Sequence, residues 1–312
     1  MAKLLFLGST CADVILRTPR LPHTGDDLNL LGQSVSLGGC AYNAFAAARL
    51  FESADCGLFS PVGTGVWGDW VAKALADRGV ASMLPRAAEP NGCCYCLVDD
   101  IGERTFLCEH GAEYRFAPAW MAMLGDEVYD GVYLCGFVVE AIVEEPTGEV
   151  LLDYLEAHPP RRLYFAPGPR LCHIPPLRMA RVFALHPVIH INAAEAEQFT
   201  REATVANGAA ALSELTENDV VITLGNDGAY VVQNGRCRCV PSWKVRVQDT
   251  IGAGDAHLGA IMACEAQGMS LEDAVLYANR VAAAVVSQEG AELPRTVFQQ
   301  WMEEAGLWDS RK

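Results

Sequence analysis

VQDTIGAGDAHLGA, residues 247–260, sets two glycines around an alanine, with Asp255 directly after them and a second aspartate at 249. Glycine-rich runs are common and most are only turns, so the meaning of this one depends on the residues C-terminal to it. AHLGAIMACEAQG (256–268) has helical character and ends on Gly268. Gly252, Ala253 and Gly254 therefore stand where a loop enters a helix, where unpaired N–H groups and the helix dipole favour negative charge. Glycines there let a ligand approach the main chain. A phosphate, or the charge developing on a phosphoryl group in transfer, suits such a cradle. Asp255, in the first helical turn, is placed to accept the proton of an attacking hydroxyl. Taken alone, though, the stretch is better read as a helix start with an acidic residue, because short glycine motifs recur by chance. His257 lies about 200° around the helix axis from Asp255 and reads as a packed or solvent-facing residue.

The bulk properties narrow the choice. A chain of 312 residues with 51% hydrophobic and 20% charged content buries a sizeable core and is not disordered. Its net charge of −16 argues against nucleic acid or an anionic membrane as partner. The N-terminal apolar run, LLFL, is too short for a signal-peptide core, and no apolar stretch reaches the roughly eighteen residues of a membrane span. The expectation is a cytoplasmic protein. Twelve cysteines, with a single C-x-x-C spacing (Cys93 and Cys96) but no second such pair and no companion histidines at zinc-finger spacing, read as buried reduced thiols.

KLLFLG (3–8), GVYLCG (131–136), RLYFAPG (162–168), PVIHIN (187–192) and DVVITLG (219–225) are short, nearly continuous apolar runs. Strands buried on both faces look like this, and their alternation with helical patterns predicts a doubly wound α/β domain with a mainly parallel sheet. Helices are expected over 67–79, stopping at Gly79, and over 270–288, opening with Ser270 three residues before Asp273. Two segments break the pattern. DDLNLLGQSVSL (26–37) alternates as a half-exposed strand pair would, and NGCCYCLVDDIGERTFLCEHGA (91–112) reads as strand, turn and strand. Together they suggest a small accessory sheet, a peripheral hairpin or a lid that excludes water from a site.

No GxxxxGK[ST] occurs, and LGSTCAD after the first strand lacks GxGxxG, so phosphate handling here needs another architecture. Five ordered motifs supply one. Gly8 and Asp13 in FLGSTCADVIL, the Gly38–Gly39 pair and Asn43 in LGGCAYNAFAAARL, Asn192 and Glu195 in INAAE, TLGNDGAYV (223–231) and DTIGAGDAHLGA (249–260) together resemble the ribokinase-like, or PfkB, carbohydrate kinase family over nearly the whole length. The resemblance implies a three-layer, doubly wound, mainly parallel sheet in one domain, residues 1–312, with a small β lid from about 14–37 and 91–112.

It also implies roles. Asp255 would be the base that activates a substrate hydroxyl, with Gly252, Ala253 and Gly254 offering N–H groups to the phosphoryl group. Asp13, Gly38, Gly39 and Asn43 would contact the sugar. Asn192 and Glu195 would organise Mg²⁺ and the phosphates through water, while Thr223, Gly225 and Gly228 would line the nucleotide and Asn279 approach the adenine. Asp249 resembles the family's monovalent-cation site, for which K⁺ is the expected ion. The implied cofactors are ATP and Mg²⁺, and the implied assembly is a homodimer through the lid. His257 and Cys40-Ala41-Tyr42 depart from the family's usual residues near the acceptor pocket. The implied activity is ATP-dependent phosphorylation of a hydroxymethyl group of a sugar. A nucleoside kinase of the pseudouridine or adenosine type is the alternative, and a silent binding protein on the same fold stands further off, since such a protein has no need of Asp255.

Overall fold

Every one of these apolar runs is a strand in the computed structural model, which describes residues 1–140 and 146–307. In chain order the strands are β1 (Ala2–Leu7), β2 (Cys11–Arg17), β3 (Gly32–Gly38), β4 (Ala54–Phe59), β5 (Cys93–Val98), β6 (Arg104–Glu109), β7 (Gly131–Cys135), β8 (Leu163–Ala166), β9 (Val188–Asn192), β10 (Val220–Thr223), β11 (Ala229–Gln233) and β12 (Arg236–Val240). The helices are α1 (Cys40–Arg49), α2 (Gly65–Asp77), α3 (Pro118–Met121), α4 (Thr147–Ala157), α5 (Pro176–Ala184), α6 (Ala193–Thr200), α7 (Val205–Thr216), α8 (Ala253–Glu265), α9 (Leu271–Val286) and α10 (Arg295–Glu304).

Eight strands form one sheet in the order β12-β11-β10-β9-β8-β7-β1-β4. From β4 to β10 every pairing is parallel, and β11 and β12 close one edge antiparallel. The central strands carry apolar side chains on both faces because helices cover both. One group joins α1, α8, α9 and α10, and the other joins α4, α5, α6 and α7. Small residues make the first group tight: a Cβ on Gly259 of α8 would lie 2.0 Å from the Ala44 carbonyl oxygen of α1. Leu258, Ile261 and Met262 of α8 are fully buried, each worth about 1.5–3 kcal/mol of apolar burial. That packing anchors the helix whose N-terminus carries the glycine motif.

The second sheet has four strands in the order β3-β2-β5-β6. β2 pairs antiparallel with β3 and parallel with β5, and β5 pairs antiparallel with β6. The hairpin expected over 91–112 is present as β5 and β6. The strand pair expected within 26–37 is not. Residues 26–31 are irregular, with Leu30 and Leu31 exposed, and β3 pairs instead with β2, which starts at Cys11. The alternation of DDLNLL was therefore a poor strand signal; the true partner is the segment leaving β1, whose apolar residues resemble a core strand. The cysteine expectation also needs correcting. Cys11, Cys93, Cys96, Cys135 and Cys264 are buried, but Cys108, Cys172, Cys237 and Cys239 are exposed because they sit on edge strands and a surface turn.

Candidate functional site

Helix α8 opens with no side-chain cap. Gly252, its N-cap, has φ 69°, a left-handed conformation that favours glycine. A Cβ there would meet Ala291 at 2.4 Å and the Asn43 amide nitrogen at 2.8 Å, whereas one on Gly254 would meet nothing within 4 Å. Gly252 is thus demanded by the turn and its packing, and Gly254 leaves open space over the helix start. Ala253 N donates to Thr250 O at 3.4 Å, and no side chain caps the start of α8. An uncapped helix N-terminus is the electrostatic condition for holding a phosphoryl group.

Asp255 lies at the floor of the same space, held from two other elements. The Asn43 side chain, on α1, donates to its Oδ2 at 3.2 Å, and the Tyr133 hydroxyl, on β7, donates to its Oδ1 at 3.1 Å. Burial pushes the Asp255 carboxyl up to about 6, against these hydrogen bonds and one from Cys40 that pull it down. Asn43, expected at the sugar, therefore touches the candidate base. Tyr133 escaped the sequence reading, although a lone hydroxyl-bearing residue in an otherwise apolar central strand was a visible sign.

Asp13 faces this floor from β2. It is 8% exposed, and its near neighbour is the Cys11 thiol, 3.5 Å from Oδ1. Burial pushes it up to about 7; the Cys11 hydrogen bond lowers it, while Asp255 and Asp249 add repulsion. The Gly38–Gly39 pair is explained by this aspartate and its neighbours. A Cβ on Gly38 would lie 2.0 Å from Asp13 Oδ2, and one on Gly39, at φ 97°, would lie 2.5 Å from the Ser9 carbonyl oxygen. The glycines make room for protein atoms first.

Asn192 and Glu195 meet at the start of α6 as a reciprocal capping box: Glu195 N donates to Asn192 Oδ1 at 2.9 Å, and Asn192 N donates to Glu195 Oε2 at 3.2 Å. Burial raises the Glu195 carboxyl. Among the described residues no group of three or more His, Cys, Asp or Glu could by itself hold a metal ion. A single carboxylate of this kind fits Mg²⁺, which keeps most of its waters and takes few protein ligands.

Thr223 ends β10, and the turn after it is closed by Leu224 N donating to Gly228 O at 2.7 Å. Gly225 and Gly228 have φ 59° and 97°, and a Cβ on Gly228 would strike the Val240 carbonyl oxygen at 2.0 Å. Asn279 is spent on the same segment. Its Nδ2 donates to Val240 O and Pro241 O at 3.1 and 3.3 Å, and its Oδ1 faces His257 Nε2 at 3.0 Å. Two carbonyls, which only accept, fix that amide's orientation. His257 Nε2 must then carry the proton, and His257 Nδ1 accepts from His190 Nε2 at 2.9 Å. Burial holds His257 down to about 4 and His190 well below its usual value, so the chain of rings is neutral. His257 is thus a strut joining β9, α8 and α9, and Asn279 fixes the 240–241 turn.

Asp249 is 5% exposed and fully engaged. Its Oδ1 accepts from Ile251 N at 2.8 Å and lies 3.0 Å from the Arg104 guanidinium of β6; its Oδ2 accepts from Gly290 N at 3.0 Å. The small sheet therefore reaches over to the glycine loop. Ile15, Cys96 and Val98 on one sheet face pack with Ile251, and Arg17 pairs with Glu289 nearby.

The chain matches the pfkB family carbohydrate kinase model over residues 1–296. It is 34% identical over 297 residues to the uncharacterised sugar kinase YegV of Escherichia coli (strain K12), covering 94% of this chain and 91% of that protein. It is 28% identical over 305 residues to the ribokinase of Schizosaccharomyces pombe, covering 93% and 94%. The ribokinase of Giardia lamblia superposes with a TM-score of 0.82 at 19% identity, over 97% of this chain and 99% of that one. The chain belongs to the pfkB family of carbohydrate kinases. It is an ATP-dependent kinase.

Proposed function

We propose that the protein transfers a phosphoryl group from ATP to a hydroxymethyl group of a sugar, with Asp255 as the general base. The observation that carries this reading is the coincidence of Asp255, oriented by Asn43 and Tyr133, with the uncapped N-terminus of α8. A carboxylate raised to about 6 is still ionised at neutral pH and is basic enough to take a hydroxyl proton. The N–H groups of Gly252, Ala253 and Gly254 then meet the charge that builds on the phosphoryl oxygens. Asp13 orients the acceptor from above, and Thr223 with the 224–228 turn forms the nucleotide side. Magnesium bound with the nucleotide near Glu195 would screen the phosphate charges.

Potassium fits less well. The one carboxylate expected to anchor it, Asp249, already stands against Arg104, so no monovalent-cation requirement is expected. The small sheet acts as a lid: Arg104 and the Ile15, Cys96, Val98 face tie it to the glycine loop. Its edge strand β6 exposes Phe106 and Leu107, 51% and 58%, as a contact for a second copy of the chain. No helix among the described residues is long and apolar enough to cross a membrane. A panel of pentoses, hexoses, phosphosugars and nucleosides, read by ADP release in Mg-ATP, tests the reading. Turnover with a sugar supports it, turnover with nucleosides alone moves it to the nucleoside class, and nucleotide binding without transfer to any acceptor defeats it.

A further inference from the structure

Across the small sheet one row of side chains runs Ser36, Asp13, Cys94, Cys108, each opposite the next in register. Alternation along the strands assigns all four to one face, and the same face carries Ile15, Cys96 and Val98, which pack with Ile251. It is the face turned toward the glycine loop. The two sulfur atoms at the end of the row lie 3.4 Å apart. Directly opposed positions in an antiparallel pair have Cα atoms about 4.5–5.5 Å apart, inside the roughly 4.4–6.8 Å that disulfides span. Only side-chain rotation separates this pair from a bond.

The surroundings distinguish the two thiols. Cys108 is exposed at the sheet edge and Cys94 is half-buried beside Asp13. The hydrogen bond with Cys94, then His110, and the positive charge of Arg170 hold the Cys108 thiol below its usual range, while that same hydrogen bond and burial hold Cys94 up. A thiolate that solvent reaches is the nucleophile in thiol–disulfide exchange.

We propose that Cys94 and Cys108 are a dithiol modification site, closed reversibly into a cross-strand disulfide by low-molecular-weight disulfides and thereby stiffening the acceptor-facing sheet. Cys108 attacks one sulfur of the small disulfide, forming a mixed disulfide and releasing one thiolate. Cys94 gives its proton to solvent and attacks the Cys108 sulfur, releasing the second. Two protein thiols are oxidised by two electrons, and one small disulfide becomes two thiols. In a reducing compartment the site stays open and closes only when small disulfides accumulate.

The test uses the whole protein and oxidised glutathione. After non-reducing digestion, mass spectrometry should find Cys94 joined to Cys108, a product that dithiothreitol removes. Cys94→Ser should trap glutathione on Cys108, and Cys108→Ser should leave Cys94 unmodified. Glutathione collecting on Cys172, Cys237 or Cys239 while Cys94 and Cys108 still alkylate would overturn the proposal. These readouts need no acceptor and so stand apart from the kinase reading. With an acceptor in hand, closure should lower turnover roughly three- to tenfold, reversed by dithiothreitol and absent in the Cys94→Ser/Cys108→Ser protein. Equal rates in the closed and open protein would contradict the stiffening.

Discussion

The floor of the site and the small sheet above it are built on opposite terms. The floor is the start of α8, a helix that packs on α1 and α9 and is buried from Ala256 to Cys264. The small sheet is four strands deep, with exposed edges, and is joined to the floor by a few named contacts: Arg104 to Asp249, Arg17 to Glu289, and three apolar side chains to Ile251. The exposed Arg17 pair adds little. On the proposed reading, a rigid floor would hold the Asp255 carboxylate in place, while a lightly tethered sheet would open for an acceptor and close over it. Changes at the floor should therefore cost chemistry or stability outright, and changes in the sheet should shift binding.

The largest effect belongs to the floor. Asp255→Asn should lower turnover by about 10²-fold or more with nucleotide affinity, measured by calorimetry, unchanged; full turnover would remove Asp255 from the mechanism. His257→Phe should be next. It strips the partner from Asn279 Oδ1 and from His190 Nε2, both buried, so unfolding free energy should fall by roughly 2–4 kcal/mol in denaturant titration. An unchanged midpoint would mean that the ring chain is not a strut.

The sheet is predicted to behave differently. Asp13 has its carboxyl raised from 3.8 to about 7 in the folded protein. Its protonated form contributes stability fully below pH about 4, and this is lost as pH rises through 7. Asp13→Asn should then raise stability at pH 8 by on the order of 2 kcal/mol, read as a higher melting temperature, with no gain near pH 4, while acceptor KM rises. A gain equal at both pH values would show that charge burial is not the cause. Arg104→Gln should give the smallest change, a severalfold rise in acceptor KM at near-constant kcat. Exchanging potassium for tetramethylammonium at fixed ionic strength should leave the parent protein unaffected. Strong potassium activation of the parent would break the assignment of Arg104 as the charge beside Asp249.

The same contrast explains what the sequence disclosed. The central strands and α8 were legible because continuous apolar runs and a glycine-to-helix junction are local signals with few physical alternatives. Ser270 was legible as a cap, and its side chain does accept from Asp273 N at 3.1 Å. Tyr133 and Asn43 converge on Asp255 from β7 and α1, a juxtaposition created only by the parallel crossover connections. The roles of His257 and Asn279 were illegible for the same reason, since their partners lie on β9 and in the 240–241 turn. The small sheet was half read: the β5–β6 hairpin is local, whereas the pairing of β2 with β3 and β5 spans distant segments. Arg104 beside Asp249 is a consequence of that pairing.

The central claim is that the Asp255 carboxylate is the base. Its most direct test is the pH dependence of kcat/KM in the parent protein and in Tyr133→Phe. Because a base must be ionised to act, and burial raises Asp255 to about 6, kcat/KM should fall as pH drops through about 6. Removing the Tyr133 hydroxyl takes away a hydrogen bond to the carboxylate and should move that acid limb to higher pH. Asp13, which Tyr133 does not touch, should not share that displacement. A limb that stays in place in Tyr133→Phe, or a parent profile flat from pH about 4.5 to 7, would contradict the account.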